Sequence, residues 1–142
     1  MTELHDKCIL HRDIKLANIL LSQGKDQMQI KLGDMGSATK LESKDTKRAF
    51  KIGTMGYMSP EMLSGEPFGL PYDIWSLGSL FYCMLTFSLP FWDKDQKKWK
   101  KRVIEDTVDL SASKYFLRVS DEAKDLMLGM LEKDPDKRLN IK

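Results

Sequence analysis

Within six residues, Asp13, Lys15 and Asn18 supply a carboxylate, an ammonium group and an amide oxygen. Phosphoryl transfer asks for these three chemistries: a carboxylate to orient a hydroxyl and take its proton, a cation beside the transferred phosphate, and oxygen ligands for magnesium. The run Asp34-Met35-Gly36 adds a second carboxylate suited to magnesium. A general base of this kind is worth about 10²–10⁴ in rate.

Such groups work only if the chain holds them together. Two short apolar runs, 19–21 and 28–32, flank the polar stretch Ser22-Gln23-Gly24-Lys25-Asp26. That pattern predicts a small antiparallel hairpin joining the Asp13 and Asp34 regions. Residues 37–51 are polar, lysine-rich and without period, an exposed loop. Pro60 opens a short helix at its first turn. Pro71 and Tyr72 open a long apolar helix running to about Phe87. Residues 74–92 carry no charge, yet Ser76, Gly78, Ser79, Thr86, Ser88 and Pro90 interrupt them, which favours a core helix over a membrane span. Asp93 to Glu105 reads as a charged helix with Trp99, Val103 and Ile104 on its apolar side. Ser120 reads as the N-cap of another, whose Ala123, Leu126, Met127, Met130 and Leu131 follow helical spacing until Pro135 closes the pattern. The fold class is therefore mainly α with a small β-hairpin. No repeat or low-complexity linker divides residues 1–142.

The bulk properties narrow the alternatives. The 142 residues are 42% hydrophobic and 31% charged, with a net charge of +2. That balance gives no whole-chain attraction to nucleic acid or an anionic membrane. Cys8 and Cys83 stand far apart without a CxxC pairing, which fits free thiols in a reducing cytoplasmic or nuclear compartment. The first ten residues lack the apolar run of a secretion signal. His5, Cys8 and His11 are evenly spaced, but no second Cys or His cluster completes a zinc site. The basic group Lys94, Lys97, Lys98, Lys100, Lys101 and Arg102 is flanked by Asp93, Asp95, Glu105 and Asp106. It reads as a solvated helix face, with substrate or partner docking and nucleic-acid binding as the alternatives.

HRDIKLAN, DMG, GTMGYMSPE, DIWSLG and DPDKR follow one another in an order and spacing that resembles the eukaryotic protein kinase family over nearly the whole chain. The resemblance implies ATP and Mg²⁺ as cofactors and a Ser- or Thr-bearing protein as substrate. It implies Asp13 as catalytic base, Lys15 as phosphate contact, and Asn18 and Asp34 as magnesium ligands. The segment from Asp34 to Glu61, with Met35 and Gly36 in its magnesium motif, becomes the activation segment, and Arg12 the cation that meets it when phosphorylated. Glu61 is expected to pair with Arg138, and Asp73 to tie down the catalytic-loop backbone. His11 is expected to be a packed, hydrogen-bonded imidazole.

Lys15 and Thr54 resemble serine/threonine rather than tyrosine kinases. The stretches FGLPYDIWSLGSLFYCML, LPFWDKD and SDEAKDLM resemble the Sak-type polo-like branch, with features shared by NIMA-related and calcium/calmodulin-group kinases. Two positions depart from the family's pattern. Met35 replaces a phenylalanine and is expected to fill the same pocket. Phe50 stands four residues before Thr54, where polo-like kinases carry a phosphorylated threonine, leaving Ser43 and Thr46 as phosphosites. The resemblance also implies a truncated, C-terminal-lobe-only unit. The glycine-rich loop, strand lysine and hinge do not fit before His11, and the last helix does not finish by Lys142. This stretch alone is then expected to be inactive, with a non-catalytic interaction module as the alternative reading.

Overall fold

A computed structural model describes residues 1–24 and 27–141. The loop expectation at positions 25 and 26 lies outside them. A single helical turn, α1 (Thr2–Asp6), leads into β1 (Ile9–Leu10). β2 (Ile19–Gln23) and β3 (Met28–Leu32) form the expected hairpin, pairing Ile19 with Leu32 and Gln23 with Met28. β4 (Thr39–Lys40) then pairs antiparallel with β1. This corrects the expectation of an exposed loop over 37–51: Leu41 is only 2% exposed, and its N–H donates to Cys8 O at 2.8 Å. A two-residue strand is too short to create a periodic signal, so only its distant partner reveals it.

The remaining elements are helical. α2 (Pro60–Ser64) places proline in its first turn, and Ser59 Oγ accepts from Met62 N–H as the N-cap. α3 (Pro71–Thr86) ends at Phe87, which adopts a left-handed conformation and donates its N–H to Cys83 O. α4 (Gln96–Glu105) starts later than the sequence implied, because Asp95 caps it by accepting from Lys97 and Lys98 N–H. α5 (Asp121–Met130) is capped by Ser120, as expected. No helix among the described residues is long and apolar enough to cross a membrane.

α3 runs through the centre. Trp75 and Tyr82 on α3 pack with Phe91, Trp99 and Val103, and with Met127 and Leu131 at α5. At Gly78, α3 and α5 approach closely: a Cβ there would lie 2.8 Å from Met130 Cβ. A second cluster joins Leu10, Leu41, Phe68, Leu70 and Tyr72, packing the start of α3 against the β1–β4 pair. The periodic pattern of α5 misplaces one residue, since Leu126 is 49% exposed beside Met84 and Leu139. It borders an open apolar hollow of about 510 Å³ on the α3–α5 flank.

A buried arginine and a half-buried lysine fasten this frame. The Arg138 guanidinium meets Glu61 through both nitrogens, at 2.7 and 2.9 Å, and donates to Pro71 O at 2.9 Å. Lys133 donates to Val103 O near the end of α4, while its ammonium lies 3.8 Å from the Phe91 ring centre and 5.1 Å from that of Trp75. Burial pulls the Lys133 amine down to about 8, against weaker support from Asp106.

Two outcomes follow from these contacts. Glu61→Gln strands a buried guanidinium and is expected to cost about 3–5 kcal/mol by urea denaturation. Removing the exposed Lys47–Asp136 pair is expected to cost less than about 1 kcal/mol. Because the folded Lys133 amine loses its proton near 8 and the unfolded one near 10.4, the unfolded chain holds the extra proton between those values. Its contribution therefore makes stability rise from about pH 8 to pH 10. Thermal scans of Lys133→Met should lack that rise.

Candidate active site

The site is built where the end of β1, the start of β2 and the end of β3 converge. Gly33 N–H donates to Asn18 O at 2.8 Å, extending the β2–β3 ladder by one rung. That rung brings Asp34 beside Asn18, although they lie sixteen positions apart. Asp34 is in the left-handed region (φ 57°), and its carboxylate accepts from Gly36 N–H at 3.1 Å. One oxygen is thus used locally, while the side chain projects from the hairpin end.

Asp13 is gripped from three sides. Lys15 Nζ donates to its Oδ2 at 2.7 Å, Thr54 Oγ1 donates to its Oδ1 at 2.6 Å, and Asn18 Nδ2 lies 3.3 Å from Oδ2. Asn18 Nδ2 also donates to Asp13 O at 2.8 Å, which leaves the Asn18 amide oxygen available for another partner. Lys15 donates in turn to Thr54 Oγ1 at 3.1 Å, closing a triangle of carboxylate, ammonium and hydroxyl. Burial pushes the Asp13 carboxyl upward, but Lys15 and Thr54, helped by Asn18, outweigh it and hold it below the ordinary carboxylate range. A carboxylate kept ionised at neutral pH can orient a hydroxyl and accept its proton.

The backbone beneath Asp13 is fixed by Asp73, which is fully buried on the first turn of α3. Asp73 accepts from His11 N–H at 2.8 Å, Arg12 N–H at 2.9 Å and His5 Nε2 at 3.1 Å. Arg12 is held at φ 70°, a left-handed conformation that costs about 1–3 kcal/mol and persists only when its surroundings enforce it. His11 is fully buried: its Nε2 donates to Gly33 O at 3.1 Å and its Nδ1 accepts from Asp13 N–H at 3.3 Å. It is the packed imidazole the sequence implied, and it links the Asp13 and Asp34 strands.

His5 and His11 are each committed to these hydrogen bonds, and no cluster of three or more His, Cys, Asp or Glu able to hold a metal occurs among the described residues. Met35 is 46% exposed, so it does not fill a closed pocket as expected of it.

Some contributors were not singled out from the sequence. Tyr57 Oη accepts from Leu16 N–H at 3.5 Å, and Ser76 Oγ donates to Tyr57 O at 2.9 Å, tying the stretch after Thr54 to both the loop that carries Asp13 and α3. At Gly53, one residue before Thr54, φ is 143° and a Cβ would lie 2.4 Å from Tyr72 Oη, so only glycine lets the chain pass. The GT pair signalled that glycine; Tyr57 and Ser76 carry no signal until the fold brings them together.

The described residues form a helical body with a hairpin-borne carboxylate, a carboxylate beside a lysine, and a buried acid anchoring their loop. The protein kinase domain family model matches residues 1–142. The chain belongs to the protein kinase family, and a transferase role follows in general from that membership.

Asp13 titration checks the electrostatics of the triangle. Thr54→Val should raise the Asp13 midpoint, and Lys15→Met should raise it further, as followed by carboxyl carbon chemical shift between pH 2 and 7.

Proposed function

We propose that this chain carries the catalytic and magnesium-binding groups of a serine/threonine protein kinase, which transfers the γ-phosphoryl group of ATP to a protein hydroxyl. The observation that carries this reading is the Asp13–Lys15–Thr54 triangle, with distances of 2.6 to 3.1 Å. Asp13 orients the substrate hydroxyl and takes its proton. Lys15, already beside that carboxylate, offsets the charge that develops on the transferred group. Thr54 narrows the approach to Asp13 and supports a small aliphatic hydroxyl over a phenol. Sequence resemblance favours the Sak-type polo-like branch.

The donor set fits Mg²⁺. Magnesium in phosphoryl-transfer sites is held by one or two protein oxygens together with substrate phosphates and water, not by an all-protein cage. The Asp34 carboxylate and the Asn18 amide oxygen are donors of this kind, and the hydrogen bond from Gly33 N–H to Asn18 O, one residue before Asp34, supports their acting together. A bound magnesium supplies charge neutralisation for the phosphate chain.

We further propose that residues 1–142 by themselves support little transfer. Hollows among the described residues lie along α2, α4 and the α3–α5 flank, and the Asp13–Lys15–Thr54 cluster lines none of these three. The Asp13 cluster supplies groups for the phosphate end of a nucleotide, which supports this reading. The α3–α5 flank, where Phe81, Met84 and Leu126 border an open hollow, favours a second reading as a protein-interaction module.

The deciding experiment compares the chain with Asp13→Asn, using Mg-ATP and Ser, Thr and Tyr peptides. The kinase reading expects slow, magnesium-dependent labelling of Ser or Thr that falls about 10²–10⁴-fold in the variant. Equal labelling by both proteins contradicts it. Micromolar ATP affinity of the isolated chain would sink the module reading.

A further inference from the structure

Arg12 is anchored twice, and its second anchor is unlike the first. Its backbone N–H is held by Asp73, but its guanidinium faces no carboxylate among the described residues. Nε donates to Ser37 O at 2.5 Å, and the guanidinium carbon sits 4.6 Å from the centre of the Phe50 ring. That distance lies within cation–π range, and Arg stacks on aromatic faces more readily than Lys does. Burial draws the Arg12 guanidinium below its usual value, and Asp73 offsets this only in part. The group nevertheless stays charged at any physiological pH.

The Phe50 ring does not stand alone. It packs against Phe68 with centroids 5.2 Å apart, and Phe68 stacks on Tyr72 at 4.5 Å and 26°. Arg48 and Phe68 exchange both backbone hydrogen bonds at 3.0 Å, so the strand beside Phe50 is pinned to the same place. Tyr72 precedes Asp73 on the first turn of α3. The contacts therefore close a ring: from Asp73 to the Arg12 backbone, through its side chain to Phe50, and through Phe68 and Tyr72 back to Asp73.

Position 50 lies four residues before Thr54, the hydroxyl that grips Asp13. We infer that Phe50 is a positioning residue: its ring, clasped by the Arg12 guanidinium, holds residues 48–54 against the catalytic loop so that Thr54 reaches Asp13, without a phosphate on the segment. The position taken by Phe50 leaves Arg12 facing an aromatic ring where an anion was expected. The two candidate phosphosites lie apart from it: Ser43 N–H and Oγ both contact Thr46 Oγ1 at 3.0 Å in a local turn. The consequence for transfer rests on Asp13 acting as proposed above, whereas the clasp itself does not.

Hydrogen exchange on the full 142-residue chain tests the clasp without requiring phosphoryl transfer. Phe50 is only half-buried, so its substitution leaves the core of α3 and α5 in place. In Phe50→Leu, amides 48–54 should exchange roughly 3- to 30-fold faster, the range a cation–π contact provides. Protection of α3 and α5 should stay unchanged, and Phe50→Tyr should restore the slow exchange. Arg12→Gln should speed the same amides, and in the Phe50→Leu background it should add less than the sum of the two effects, because the contact that both changes break is already lost. The Arg12 Nε–H resonance should carry a ring-current shift that Phe50→Leu removes.

Wild-type exchange in Phe50→Leu, or fully additive effects of the two substitutions, would overturn the inference. So would equal losses in the Leu and Tyr variants, or protection of 48–54 that depends on phosphate at Ser43 or Thr46. A chain that passes this test yet labels Ser and Thr peptides no differently from its Asp13→Asn variant keeps the clasp and loses the kinase reading. The reverse result does the opposite.

Discussion

Removing a carboxylate from water costs several kcal/mol, and the Asp73 side chain is wholly buried. Its oxygens are used on two successive backbone N–H groups and one imidazole, so the cost is met by hydrogen bonds that water would otherwise make. The geometry those bonds impose is a turn in which Arg12 adopts a positive φ. That turn sends His11 inward to Gly33 O and leaves Asp13 facing Lys15 and Thr54. Loss of the Asp73 oxygens releases the strained residue first and the Asp13 carboxylate with it.

The first turn of α3 is fixed from the opposite side as well. Arg138 donates to Pro71 O, two residues before Asp73, while its other contacts grip Glu61 at the start of α2. The two buried acids divide the work. Glu61 neutralises a guanidinium and joins α2 to the chain beyond α5, whereas Asp73 organises backbone. Between them, Tyr72 stacks on Phe68 and limits position 53 to glycine. The segment from Asp34 to Glu61 is therefore tied at its middle and at its Glu61 end to one helical turn.

Much of this was legible in the residues. The apolar run of α3, the helix start at Pro60, the capped start at Ser120 and the hairpin 19–32 rest on local patterns that a short window reveals. The errors have physical causes. β4 is two residues long, so neither periodicity nor composition marks it, and buried Leu41 donates its N–H to Cys8 O, 33 positions away. Leu126 obeys helical spacing, yet its side of α5 borders an open hollow, because spacing names a face without naming what covers it. Met35 fits a pocket by its chemistry but stands half in solvent.

The sequence by itself determined the family and the chemical inventory: an acid, a lysine, an asparagine and a second acid at spacings that few other chains share. Residue type decides what a group can do, and that information is local. Only the tertiary structure decided which groups meet. Asp73 reaches Arg12 across 61 positions, Thr54 reaches Asp13 across 41, and the Arg12 guanidinium meets a phenyl ring. Such pairings depend on loop closure and packing of the whole chain, so no reading of the HRDIKLAN stretch alone could supply them.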